Sequence, residues 1–415
     1  MAVRSRSYAL YVVGLLTLIN FFNYVDRLVM QTMYDGLRAR YGFSDLQLGS
    51  FWLAFFVVHA VATFPFGWAS DRYDRRKIMG VGIIVWSLAT LGSAHAWGYV
   101  SMLVLRAAIG IGEAAYGPPA NALLCEIYPD KKARVVGIFN AGMFAGACIG
   151  LAVGSFIGFP HAFHVVAVPG LVLGMLVLVL DVPPERTAPT AMPSMRTMLR
   201  DGWRSMRVPT LRWMLPSGIL ISFAAGGYIS WIVDFTVHHK MVYWDMTQNT
   251  VTLYYTVITL VAGVLGVVTA GFIADALMQR TRAGRTLTVA IGFLCAVPFA
   301  IAVVFIDAKW PFFACGAVLL FFLPWYNGPM AAVIDDVVDD RDAGTAQASF
   351  VFFLHTVGTG PAGFALGAIS TYWSLRYAFL LPAAAVAGAS ICAFMASRHV
   401  AADMTARAAR SAALR

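Results

Sequence analysis

Twelve apolar runs, each long enough to form a membrane-crossing helix of about 20 residues, follow one another from one end of the chain to the other. A helix of that length covers the roughly 30 Å hydrocarbon core of a bilayer, so a chain built from such runs folds as a bundle of spanning helices. In the first half the runs are Tyr8–Met33, Gln47–Ser70, Ile78–His95, Gly98–Cys125, Val135–Phe159 and Ala162–Asp181. In the second half they are Leu211–His238, Thr247–Ala276, Thr286–Ile306, Trp310–Ile334, Ala343–Thr371 and Tyr372–Ser397. Only 12% of the 415 residues are charged, about half the share of a soluble chain. The predicted fold class is an all-α membrane protein of twelve transmembrane helices in two six-helix bundles, residues 1–181 and 211–397. A linker, 182–210, and a tail, 398–415, are polar. The linker holds Pro183, Pro184, Pro189 and Pro193, and its Arg196-to-Arg207 part is expected to form a surface helix. The N-terminus is basic and then apolar, with no small-residue cleavage pattern, and reads as a retained first helix.

The formal net charge is +9. Its basic residues fall in short segments between apolar runs, where they set orientation in the membrane, and no folded basic face is left for a nucleic acid. One set of connecting segments carries 23 Lys and Arg and the other carries 5, namely Arg38, Arg40, Lys240, Lys309 and Arg376. Both termini and the linker are therefore expected in the cytoplasm. The segment after the tenth run, DDVVDDRD, is acidic, but acidic residues count little in this rule. The five cysteines lie in or at the ends of apolar runs without metal-ligand spacing. They read as small buried residues, and no metal or cofactor is expected. There is no His-Glu-x-x-His, no Gly-x-Ser-x-Gly and no Walker-type loop. That disfavours an intramembrane enzyme and a built-in ATPase. The lack of a cytoplasmic signalling domain disfavours a non-transporting sensor.

A repeat divides the chain. After the second run come Gly67-Trp-Ala-Ser-Asp71-Arg72-Tyr-Asp-Arg75-Arg76-Lys77, and after the eighth come Gly271-Phe-Ile-Ala-Asp275-Ala-Leu-Met-Gln-Arg280. Both read Gly, three residues, Asp, then a basic residue. Gly permits close approach of another helix, and an Asp four residues on shares its face. An Asp at a helix C-terminus opposes the dipole and needs a partner, a contact that breaks and reforms if the halves rock. These strings resemble the signature loop of the major facilitator superfamily and its weaker second copy. One departure is Asp74, where that family commonly has Gly. Arg106-Ala-Ala-Ile-Gly110-Ile-Gly112-Glu113 resembles the family's fourth-helix motif. The resemblance covers the whole chain and implies a monomeric secondary transporter of a small molecule, working by alternating access in a bacterial inner membrane. It implies a conformational-switch role for Gly67, Asp71, Arg72, Arg75, Arg76, Gly271, Asp275 and Arg280.

Four ionisable residues interrupt apolar runs of the first half: Asp26, Arg27, Arg106 and Glu113. Each costs at least ~2.5 kcal/mol at the bilayer centre on insertion scales, so retaining four needs a reason. The reason is either a proton and anion site in a wet cavity or an ion-pair lock between two helices. The levels match: Arg106 lies about 12 Å below the outer end of the fourth helix, near the depth of Asp26 and Arg27, and Glu113 lies about 10 Å deeper on the same face. Asn20, Asn23 and Arg27 share one face of the first helix. Asp26 and Glu113 are the expected proton carriers, with Arg27 and Arg106 alternating between them and an anionic substrate. Asn23-Tyr24-Val25-Asp26-Arg27, with Gly110-Ile-Gly-Glu113-Ala and Tyr116-Gly-Pro-Pro, resembles the Spinster-like branch, which includes lysophospholipid and sphingosine-phosphate transporters. Asn-Tyr-x-Asp-Arg also occurs in organic anion:cation symporters of sugar acids and other carboxylates. The resemblance implies a proton-coupled transporter of a lysolipid-like amphiphile, or alternatively of an organic anion. A shift of 204 residues, from Gly67 to Gly271, takes Asp26 and Arg27 to Ser230 and Trp231. The second half thus lacks the charges and is expected to select substrate shape. Its candidate contacts are led by Trp231 and Asn327, beside Asn23 and Tyr24 of the first half. Glycines at 142, 146, 150 and 154 form one smooth face of the fifth helix.

Overall fold

The structure is a computed structural model that describes residues 6–70, 72–128, 132–181 and 206–413, with positions 197, 200, 203 and 204 between. Asp71, Lys131 and most of the linker, with its expected surface helix, lie outside the described residues. The contacts divide the chain into two compact units.

The first unit comprises residues 1–192 together with 247–256. Its helices are α1 (Arg6–Val29), a short α2 (Tyr34–Tyr41), α3 (Asp45–Ser70), α4 (Arg75–Ser93), α5 (Tyr99–Ala114), α6 (Gly117–Ile127), α7 (Lys132–Ile157) and α8 (His161–Leu178). Five of the six spans here pass on length and apolarity, α5 and α6 counting as one. The sixth, α4, begins with Arg75-Arg76-Lys77, which lowers its mean hydropathy. The glycine face of α7 packs on α1. A Cβ at Gly142 or Gly150 would come within 2.7 and 2.6 Å of the Thr17 and Val25 carbonyl oxygens, and one at Gly146 or Gly154 would overlap those of Phe21 and Val29. The smooth face therefore serves close packing inside one unit. Asn20 serves the same contact, donating to the Phe139 carbonyl at 2.8 Å, and so leaves the expected polar track.

The second unit comprises 193–246 and 257–415. Its helices are α9 (Pro209–His239), α10 (Gln248–Met278, whose first turns belong to the first unit), α11 (Gly284–Phe305), α12 (Lys309–Phe322), α13 (Asn327–Val337), α14 (Asp340–Phe353), α15 (Gly360–Tyr372), α16 (Leu375–Ala378), α17 (Leu380–Ser397) and α18 (Val400–Ala413). A π-helical turn, Leu354–Thr359, joins α14 to α15 in one span. The tail is a docked helix rather than a loose strand of polar chain. Asp403 of α18 accepts from the backbone N–H and hydroxyl of Thr210 at 2.8 and 2.6 Å, capping α9. Arg410 pairs with Asp339 at 3.1 Å. The acidic segment after the tenth span is likewise engaged: Asp336 pairs with Arg285, and Asp335 accepts from Gln347 at 2.6 Å.

Lys240 corrects the reading of that residue as a simple loop charge. Its side chain is fully buried at the end of α9. Its ammonium donates to the Val304 and Ile306 carbonyls at 3.1 and 2.8 Å and to Asp307 at 2.7 Å. It thereby satisfies carbonyls at the C-terminus of α11, which the helix itself leaves open. The pairing holds the Asp307 carboxyl below its usual range.

The internal repeat runs in two registers. The α3 and α10 glycines, Gly67 and Gly271, are 204 apart, whereas α6 and α13 begin at Gly117 and Asn327 and end at Ile127 and Val337, 210 apart at both ends. The six-residue difference falls between Asp71 and Arg75 in the first half and Asp275 and Arg285 in the second. In this second register Arg75 matches Arg285, Glu126 matches Asp336, and Arg75 pairs with Glu126 at 2.7 Å as Arg285 does with Asp336. Gly82 matches Gly292, and both take a close neighbour from the fourth-span break: Ala115 in the first unit and its match Trp325 in the second. Both fourth spans are interrupted at matching places, at Ala115-Tyr116 and at a 3₁₀ turn over Leu323–Tyr326.

Candidate functional site

The four charged residues of the first half come together on α1 and α5, with α3 and α4 closing around them. Asn23 and Arg27 are one helical turn apart on one face of α1, and Asp26 is turned about 100° away, so neighbouring residues of opposite charge reach different partners. Asp26 accepts a hydrogen bond from the Thr90 hydroxyl of α4 and lies 3.6 Å from Arg106 Nη2. Arg27 donates twice to Glu113 Oε2, from Nη2 at 2.6 Å and Nε at 3.2 Å, and once to Asn23 Oδ1 at 3.3 Å. The pairs are crossed: each helix supplies one acid and one base.

Two glycines explain the Gly110-Ile-Gly112-Glu113 string. A Cβ at Gly110 would lie 2.7 Å from the Phe55 carbonyl of α3, and one at Gly112 would lie 2.6 Å from the Trp86 nitrogen of α4. Their bare faces let two neighbouring backbones close on either side of Glu113. Phe55, Phe56 and Tyr24 surround the Arg27 guanidinium, with ring centroids at 5.1, 5.8 and 4.5 Å. Such rings stabilise a cation by their quadrupole while leaving its in-plane donors free to bond.

Burial differs sharply across the set. Asp26, Arg106 and Glu113 are at most 3% exposed, whereas Arg27 and Tyr24 are partly exposed. Arg27 is therefore the most exposed charge of the four. Several buried atoms have no hydrogen-bond partner: Asp26 Oδ1, Arg106 Nε and Nη2, and Glu113 Oε1. An unpaired buried polar atom is costly.

The signature-loop residues are placed less uniformly. Arg72 donates to the Trp68 carbonyl at 3.1 Å and stacks over its ring. Arg75 donates to the Ser70 carbonyl at 2.9 Å besides its pair with Glu126. Asp74, the departure from the family pattern, caps α4 by accepting from the Arg76 backbone N–H at 3.0 Å, and its carboxylate also pairs with the Arg76 side chain. The side-chain bonds hold the Asp74 carboxyl below its usual range. Arg76 reaches on to the Leu180 carbonyl at 2.9 Å. A Cβ at Gly67 or Gly271 would meet nothing within 4 Å, so the close approach expected at these glycines is not made here. Asp275 and Arg280 are exposed, and it is Arg285 that matches Arg75 in register and in pairing.

In the second unit, Trp231 is fully buried and its indole N–H donates to the Gly363 carbonyl at 2.9 Å, which makes it part of the α9–α15 packing. Asn327 is exposed at the start of α13, directly after the break in its span. In the 210 register Arg106 and Glu113 become Gly316 and Leu323, so the asymmetry of charge holds in the fourth spans as well. Sequence reasoning missed Thr90, Phe55 and Phe56. A threonine or a phenylalanine in an apolar span carries no pattern of its own, and only the geometry shows which face it takes.

Comparison with known proteins agrees with this architecture. The model of the Major Facilitator Superfamily matches residues 16–363. A hexuronate transporter of Bacillus subtilis (strain 168) is 26% identical over 383 residues, 87% of this chain and 89% of that protein. Protein spinster homolog 1 of Mus musculus is 27% identical over 399 residues, 88% of this chain and 74% of that protein. Among solved structures, a bacterial homologue of the human lysosomal transporter Spinster, in an inward-facing and unoccupied conformation, superposes with a TM-score of 0.83 at 19% identity, covering 96% of this chain and 99% of that one. Both branches expected from the first-helix string, the Spinster-like and the sugar-acid one, thus appear among the relatives. With a family match across most of its length, the chain belongs to the major facilitator superfamily and is a multi-pass integral membrane transporter, not an enzyme.

Proposed function

We propose that this protein is a proton-coupled secondary transporter of an anionic amphiphile, with Arg27 receiving the anionic group and Glu113 carrying the proton. The observation that carries the reading is the crossed pair with only Arg27 within reach of a solute. An arriving carboxylate or phosphate competes for the Nη2–Nε edge of Arg27, the edge that now holds Glu113. Displaced, Glu113 is a buried carboxylate without a donor, a state too costly to persist charged, so it takes up a proton. Anion and proton are then bound together and leave together. Asp26, Thr90 and Arg106 form the second pair, which passes or holds the proton in the return step. Asn23 and Tyr24 orient Arg27 within the first unit, and Asn327 and Trp231 are the second unit's own candidates for substrate contact. The signature-loop residues Gly67, Asp71, Arg72, Arg75 and Arg76, with Gly271, Asp275 and Arg280, serve the conformational switch. Both termini face the cytoplasm of a bacterial inner membrane, following the excess of Lys and Arg, and the working unit is a monomer.

A sugar acid is the second reading, favoured by the likeness to the hexuronate transporter over 87% of this chain. Proteoliposomes loaded with a pH-sensitive dye separate the two. A lysophospholipid should acidify the lumen and a hexuronate should not, with the signal abolished in Arg27→Ala and in Glu113→Gln. Acidification by the hexuronate alone would select the second reading. Unchanged proton uptake in both variants would reduce the quartet to a lock between helices.

A further inference from the structure

At the end of the first unit opposite to Arg75, the C-terminal end of α4 meets the start of α8, and three histidines gather there: His95, His161 and His164. The site described above uses none of them. His95 Nε2 and His164 Nε2 lie 3.1 Å apart, and the two rings stand at 83° to each other with centroids 5.0 Å apart. Two imidazole nitrogens bound at 2.0–2.1 Å to one tetrahedral ion are separated by roughly 3.3 Å, so the spacing already fits a shared metal to within a few tenths of an ångström. At that spacing one nitrogen donates a hydrogen bond to the other, and an ion held by both takes the place of that proton. His161 is three residues before His164 on α8, which places it on the same helical face, with ring centroids 6.1 Å apart. It is exposed and would reach that position only by a side-chain rotation, and His95 is exposed too, which leaves an entry path from solvent.

We propose that His95 and His164 bind a divalent transition-metal ion, with His161 as the third ligand and water completing the shell. An all-imidazole set suits Zn²⁺, Ni²⁺ or Cu²⁺ and rejects Mg²⁺ and Ca²⁺, which take oxygen ligands. The site lies beside the first turn of α8, where the helix dipole opposes a cation, so binding is moderate, not of structural-zinc strength. The ion ties the end of the third span to the start of the sixth within one unit.

The test uses the full-length protein purified without a histidine tag and titrated with Zn²⁺ by calorimetry, with thermal stability as the second readout. One ion is expected to bind and to raise the melting temperature, while Mg²⁺ does neither. His95→Gln and His164→Gln should each weaken binding at least tenfold, roughly the loss that follows from damaging a metal shell, with folding checked by the unliganded melting temperature. His161→Asn should weaken it as well, and unchanged affinity there would overturn its share of the site. No binding of Zn²⁺ in the calorimetric titration would overturn the proposal. So would binding that survives both His95→Gln and His164→Gln.

Discussion

Replacing Lys240 by Met keeps most of the apolar stem and removes a buried ammonium that lies over the Phe235 and Phe312 rings. What is lost is three hydrogen bonds, to Val304, Ile306 and Asp307. Removing one partner of a buried charged pair costs about 3–5 kcal/mol. The lower end applies here, because Asp307 is 42% exposed and regains water when the pair is broken. The Val304 carbonyl is buried and has no such recourse, at a cost of about 1–3 kcal/mol when left unpaired, while the half-buried Ile306 carbonyl loses less. A loss of about 3 kcal/mol corresponds to a roughly 150-fold shift in the folding equilibrium. Equilibrium unfolding by denaturant in detergent micelles measures it, with the Asp307→Asn variant as the comparison, expected to lose less because it retains both carbonyl bonds. A Met variant within about 0.5 kcal/mol of the parent, the range of ordinary surface changes, would refute the reasoning and return Lys240 to the role of a solvated loop charge.

Other outcomes follow from the same geometry. Arg27→Lys keeps the charge but loses the two-donor edge that meets Glu113, so anion affinity should fall by about tenfold or more with the charge count unchanged, as measured by substrate binding. Gly146→Val should abolish folded protein on size-exclusion chromatography, since its Cβ overlaps the Phe21 carbonyl, whereas Gly137→Ala meets nothing within 4 Å and should be tolerated. Asp403→Ala removes the cap on α9 and should destabilise by about 0.5–2 kcal/mol in the same denaturant assay. Asp74, with its carboxyl depressed by Arg76, contributes stability above its unfolded value of about 3.9, lost as pH falls toward the lower native value. Melting curves of Asp74→Asn between about pH 3 and 6 should therefore be flatter than those of the parent.

Span number, helix class and the buried quartet were all readable from the residues, because each rests on a strong local signal. An uninterrupted apolar run has few folded solutions in water, and a charge inside one stands out against it. The pairing within the quartet was not readable. Asp26 and Arg27 are neighbours in sequence, and only the packing of α3 and α4 decides that one turns to Arg106 and Thr90 and the other to Glu113. Lys240 shows the converse. A lysine between two apolar runs looks like an orientation signal, and its burial depends on where α11 ends, some sixty residues later. The tail was legible as polar but not as a docked helix, since Thr210, Asp339 and Arg282, to which it binds, lie far away along the chain.

The constant 210-residue register bears on how this chain can be rebuilt. A duplicated segment that drifts freely gathers insertions and deletions throughout. Here the stretch from Arg75 to Ile127 and the stretch from Arg285 to Val337 have the same length to the residue, and most of the length difference before them is a longer α10, which runs seven residues past Gly271 where α3 runs three past Gly67. Exchange of one stretch for the other therefore needs no gap: Arg75–Glu126 or Arg285–Asp336 travels with its own graft, and replacing the first stretch by the second removes Arg106 and Glu113 from the quartet and Thr90 from beside it.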